Sequence, residues 1–109
     1  MKRILEGFRY DTDKAVLIGE MSNIGRGVDS ITDFNYWFAG LYVTPKAKRY
    51  FLAGRGGPMT RWARSAGQNS SVGGEGIIPV SEEEAFRLAQ EYLDPADVEQ
   101  HFSDLVKDA

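Results

Sequence analysis

NYWFAGLYVTPKAKRYFLA, residues 35–53, decides how this chain folds. Residues 35–43 are dense in aromatic side chains and end on Val43, the composition that fits a pleated, half-buried strand. The apolar run 36–43 is of strand length and far short of a membrane span. Thr44-Pro45-Lys46-Ala47-Lys48 then turns the chain, and residues 49–53 return as the hairpin partner. A turn centred on Lys46 places Val43 opposite Arg49 and Leu41 opposite Phe51. One face then carries Trp37, Ala39, Leu41, Val43, Phe51 and Ala53; the other carries Phe38, Gly40, Tyr42, Tyr50 and Leu52. Both faces are apolar, so one packs on helices and the other needs the loops 21–34 and 54–76, or a partner, to cover it.

Working outward, residues 3–10 read as a short edge strand, and Asp11-Thr12-Asp13 as a turn, because Asp side chains bond nearby amides. The apolar run 15–20 reads as a buried strand and residues 22–33 as a loop. Ser81 followed by Glu84 has the spacing of a capping box, with acids at the positive end of the helix dipole. Ala85, Leu88, Ala89 and Tyr92 make a helical stripe. Asp94-Pro95 caps and starts a second helix whose apolar face is Val98, Phe102, Leu105 and Val106. The expected fold is α+β: a small antiparallel β-sheet of about four strands, a glycine-rich loop and a C-terminal two-helix hairpin, in a single domain over residues 1–109.

Composition narrows the chemistry. Hydrophobic content of 42% and charged content of 27% are those of an ordinary globular domain. With no cysteine, disulfides, thiolate zinc sites and a cysteine nucleophile are excluded. Glu6 and Arg9 interrupt any apolar leader, so the expected location is the cytoplasm. The net charge of −3 is unevenly spread: residues 1–45 carry −1, residues 46–64 carry +6 with no acid, and residues 65–109 carry −8. Such polarity bears on partners and not on fold.

The cationic segment runs into AGRGGPMTRWARSAGQNSSVGGEG, residues 53–76. Its glycines do not make a phosphate loop, since no G-K-[ST] follows, and Pro58 removes an amide from any dinucleotide fingerprint. Architecture explains the glycines; it does not explain the arginines. Lys48, Arg49, Arg55, Arg61, Trp62 and Arg64, with Lys46 nearby, would form a basic patch around a stacking tryptophan. The plainer reading pairs Arg61 or Arg64 with the acids Glu82, Glu83 and Glu84. His101, the only histidine, lies one helical turn from Asp97 and from Asp104, a spacing more often used for charge pairing than for a metal. No serine has a base within a recognisable motif, and no metal site or cofactor is expected. An enzyme, a small hydrolase or transferase, is the weakest reading.

The segments YDTDKA (10–15), FLAGRGGPMTRWAR (51–64) and GGEGIIPVSEEEAFRLAQEYL (73–93) resemble a group of small α+β proteins of unassigned function, found in bacteria and often on phages, plasmids and conjugative elements. That resemblance implies a non-enzymatic inhibitor of host defence, of the anti-CRISPR type, that occludes a host or effector protein. An acidic helical face with Glu82, Glu83, Glu84, Glu91 and Asp97 would supply the contact. The alternative is a nucleic-acid-binding accessory protein using the Arg/Trp loop 46–64. Neither reading involves a membrane, and the oligomeric state stays open.

Overall fold

The computed structural model describes all 109 residues. Residues 3–10 are not one strand but a hairpin, β1 (Lys2–Leu5) with β2 (Phe8–Asp11). Glu6 and Gly7 turn it with φ of 50° and 82°, the two-residue geometry whose twist suits the flanking strands. Then come β3 (Val16–Ser22), β4 (Trp37–Val43) and β5 (Tyr50–Gly56). The short ladder β6 (Arg64–Ser65) with β7 (Ser71–Val72) interrupts the glycine-rich connection, and β8 (Gly74–Val80) follows. The main sheet is antiparallel throughout, in the order β3-β4-β5-β8. Pro79 lies on its edge strand, where a missing N–H costs no ladder bond. Helices α1 (Glu82–Tyr92) and α2 (Pro95–Phe102) complete the α+β fold, with a single 3-10 turn at Ser103–Leu105.

The hairpin register differs by one residue from the sequence-based one. Val43 pairs with Tyr50, and Leu41 with Leu52. The turn takes in Arg49, because Lys48 adopts a left-handed φ of 55°. Thr44 holds both ends: its N–H donates to the Arg49 carbonyl at 2.9 Å, and its hydroxyl accepts the Arg49 N–H at 3.0 Å. Since strand side chains alternate, a slip of one residue reverses both faces of β5. Tyr50 and Leu52 therefore face the helices, and Phe51 and Ala53 the other side.

That other side is covered by the β1–β2 hairpin rather than by the two long loops. Tyr10 meets Phe51 edge-on at 5.5 Å, and Phe51 stacks on Tyr42 at 5.2 Å. Ile77, Leu5, Phe8 and Ala15 pack around them, while Arg3 donates to the Ile77 carbonyl at 2.7 Å. On the helical side, Ala85, Leu88 and Ala89 of α1 and Val98 and Phe102 of α2 pack with Ile18, Met21, Ala39, Leu41, Leu52 and Trp62. The expected buried strand at 15–20 is only half-buried, with Val16 and Leu17 in solvent. The second helix's apolar face likewise shortens to Val98 and Phe102, since Leu105 and Val106 are exposed.

Only half of the expected capping box forms. The Ser81 hydroxyl accepts the Glu84 N–H at 3.1 Å, but the Glu84 carboxylate turns to Arg61 instead. Asp94 precedes Pro95 at the start of α2 without a side-chain cap bond. No helix is long and apolar enough to cross a membrane.

Candidate functional site

The glycine-rich connection begins as strand. Gly54 sits directly against β4, where an added Cβ would run into the Phe38 carbonyl oxygen and Ala39. A Cβ on Gly74 would lie 2.5 Å from the Trp62 carbonyl oxygen. These glycines permit close backbone approach, the architectural role expected of them.

The six cations of residues 46–64 do not converge. Lys46, Lys48 and Arg49 stand at the β4–β5 turn, and the Arg49 guanidinium lies over the Phe8 ring at 3.6 Å. Arg55, Arg61 and Arg64 are at the far end of β5, about 20 Å away at strand rise. Arg55 lies over Phe38 at 5.6 Å, and Arg64 donates to the Glu75 carbonyl at 3.0 Å. Arg61 donates to Glu84 at 2.8 Å, the internal pairing that was the plainer reading.

Trp62 cannot serve as a stacking platform at the surface. It is 6% exposed, its ring lies 6.0 Å from that of Trp37, and its indole N–H donates to the Gly76 carbonyl at 3.2 Å. The acidic residues are also partly committed. Glu84 is shared by Arg61 and Arg87, and Glu91 by Arg87 and Arg26. Burial, assisted by the charge of the nearby Glu82 carboxylate, pushes the Tyr50 phenol above its ordinary pKa of 10.0. Glu83 is exposed and Asp97 half-buried, and neither forms an ion pair. Asp97, His101 and Asp104 do not come together as a metal-binding group, and no other three such side chains do.

Two features at the Arg55 end of the sheet were not visible in the sequence. The first is an exposed apolar crest. Ile31, Phe34 and Met59 are 71%, 63% and 67% exposed. Two loops bring Phe34 and Met59 together, with Ile31 three residues before Phe34 on the first loop: the Met59 N–H donates to the Phe34 carbonyl at 2.9 Å, and the Gly57 N–H donates to the Tyr36 carbonyl at 2.8 Å. A Cβ on Gly57 would lie 2.5 Å from the Phe34 carbonyl oxygen, so the loops touch through backbone. Arginines stand on both flanks. Ile31 shares a shallow depression with Arg55 and Arg64, and Met59 shares a cleft with Arg61 and Arg87.

That cleft is the second feature. It has a volume of about 440 Å³ and lies between α1 and the two loops, walled by Trp37, Trp62 and Tyr92. Tyr92 meets Trp37 edge-on at 5.1 Å and carries the Arg26 guanidinium 4.3 Å above its ring. The sequence placed Trp37 and Tyr92 on core faces; only the fold brings both to the edge of that core.

Comparison with known protein families, curated proteins and solved structures finds no match for this chain. The resemblance read from the sequence therefore rests on its quoted segments alone.

Proposed function

We propose that this chain is a non-catalytic binding protein that docks on a partner protein through the Ile31–Phe34–Met59 crest and its flanking arginines. The observation that carries this reading is the crest itself. Three large apolar side chains, each more than half exposed, stand on two loops whose backbones are joined between Phe34 and Met59. A soluble surface seldom gathers such groups without something to cover them. Arg55 and Arg64, which pair with no carboxylate, favour a partner surface that is apolar at its centre and acidic at its rim, as interface anatomy has it. The acidic helices are the lesser candidate, because Glu84 and Glu91 already hold arginines. Inhibition of a host-defence complex, of the anti-CRISPR type, is the biological role that the resemblance adds to this reading.

A nucleic acid is the rival, with Phe34 as the stacking ring and the same arginines on phosphates. The two separate in nuclease-treated extract of the cells that carry the gene. The wild-type chain is expected to co-purify with a stoichiometric protein there, and a Phe34→Ser/Met59→Ser variant to lose it while keeping its thermal unfolding transition. Retention of the partner by the double variant overturns the crest as the docking surface. Loss of the complex on nuclease treatment alone turns the reading to nucleic acid.

A further inference from the structure

We infer that the cleft beside the crest binds a small molecule consisting of a planar ring with an anionic group, a carboxylate or a phosphate. The ring half of that chemistry comes from Trp37 and Tyr92, both half-buried, with the buried Trp62 beside Trp37. The two indoles are 6.0 Å apart at their centroids. A ring sandwiched between them would need about 7 Å, twice the carbon contact distance. A ligand ring therefore lies against this wall rather than inside it, in a cleft of about 440 Å³, within the usual span of small-ligand sites.

The anionic half comes from the rim, where Arg61 and Arg87 line the cleft with the single carboxylate of Glu91. Arg26 donates to the Glu91 carbonyl at 2.6 Å, and Arg61 donates to the Glu84 carboxylate at 2.8 Å. Arg87 is different. It stands 3.8 Å from Glu84 and 3.6 Å from Glu91, in ionic contact with both but beyond hydrogen-bond distance of either. Its planar fork faces Glu84 with Nη2 and Glu91 with Nη1 only through these long contacts, which an incoming carboxylate or phosphate would exchange for bidentate hydrogen bonds. The local excess of one positive charge sets the sign of the ligand. Arg87 lies on α1 one turn before Glu91 and Tyr92, so a ring against the aromatic wall brings its anionic substituent toward that fork.

The chain's two tryptophans both line this cleft, so their indole N–H signals in a nitrogen–proton NMR spectrum report its occupancy. AMP and indole-3-acetate are titrated as the phosphate and carboxylate probes, with adenosine and indole as their uncharged counterparts. The expected result is a saturable shift of at least one indole signal with one or both anionic probes, and at least about ten-fold weaker binding of the uncharged ones, the size of one charged hydrogen-bond pair. Response to AMP alone assigns the site to phosphates, response to indole-3-acetate alone to carboxylates, and response to both to either anion. Arg87→Gln is expected to remove the preference for the anion, and Arg9→Gln, on β2, to leave it unchanged. Phe34→Ser, which removes the ring of the crest, also leaves the titration unchanged, so this site stands or falls apart from the docking surface. Absence of any saturable indole shift up to about 10 mM of either anion, equal response to the uncharged probes, or an unaltered titration in Arg87→Gln overturns the inference.

Discussion

The backbone N–H of Met59 donates to the carbonyl oxygen of Phe34 at 2.9 Å, joining two loops that are 25 residues apart in the chain. That bond turns two isolated exposed side chains into one surface. It also explains the glycine at position 57, since the loops meet there through backbone. The functional reading depends on this junction more than on any single charge.

The junction's sheet-side support gives the first prediction. Gly54→Ala places a methyl group against the Phe38 carbonyl oxygen, in a strand pair with no room to part. Gly7→Ala meets no neighbour within 4 Å and is strained only by its φ of 82°. Thermal unfolding should show a loss of about 1–2 kcal/mol for Gly7→Ala and a markedly larger one for Gly54→Ala.

The one-residue register makes Phe51 and Leu52 report on opposite faces. Phe51→Ala should cost about 3–5 kcal/mol and Leu52→Ala about 2–5 kcal/mol. Hydrogen exchange separates them. Phe51→Ala is expected to speed exchange first in the β1–β2 hairpin, through lost contact with Tyr10, and Leu52→Ala first in α1.

Capping and surface pairing should differ in size. Ser81→Ala removes the acceptor of the Glu84 N–H and should cost about 1 kcal/mol. Arg61→Ala breaks a pair whose side chains are 41% and 30% exposed, and should cost no more than about 1 kcal/mol. Chemical denaturation of the two single variants checks both values.

Tyr50 predicts an alkaline limit. Its phenol is held protonated above the ordinary 10.0, first by burial and then by Glu82. Above pH 10 the unfolded chain releases this proton more readily than the folded one. Its stabilising contribution is thus complete below pH 10 and is lost as pH rises through the folded-state pKa. Tyr50→Phe should flatten the fall of stability in that window relative to wild type, and an identical slope in the two proteins would remove Tyr50 from the account.

What could be read from the sequence was local. The aromatic strand at residues 35–43, its return strand and both helices follow from periodicity, capping residues and Pro95. The register did not follow, because a left-handed Lys48 and the doubly bonded Thr44 lengthen the turn by one residue. The N-terminal hairpin was hidden by Glu6, an unusual residue for a positive φ, although Gly7 beside it was a turn signal. The charge pattern offers Arg61 a partner on the first helix, as the fold supplies, but nothing local marks Trp62 as buried. Its burial depends on Trp37 and the Gly76 carbonyl, both distant in sequence. The crest left no periodic trace at all, since Ile31, Phe34 and Met59 lie on irregular loops, where hydrophobic patterning carries no face information.

The central claim is that the crest is the docking surface, and site-specific photo-cross-linking in the native cell tests it most directly. A photoreactive phenylalanine analogue replaces Phe34 in one chain, Lys46 at the far turn in a second, and Glu99 on α2 in a third. The account predicts one discrete, nuclease-resistant adduct, heavier than a dimer of this chain or distinct from it in mass, from position 34 alone. Adducts from position 99 or 46 with none from position 34 would contradict it, and an adduct of twice the chain's own mass would make the crest a contact between copies instead.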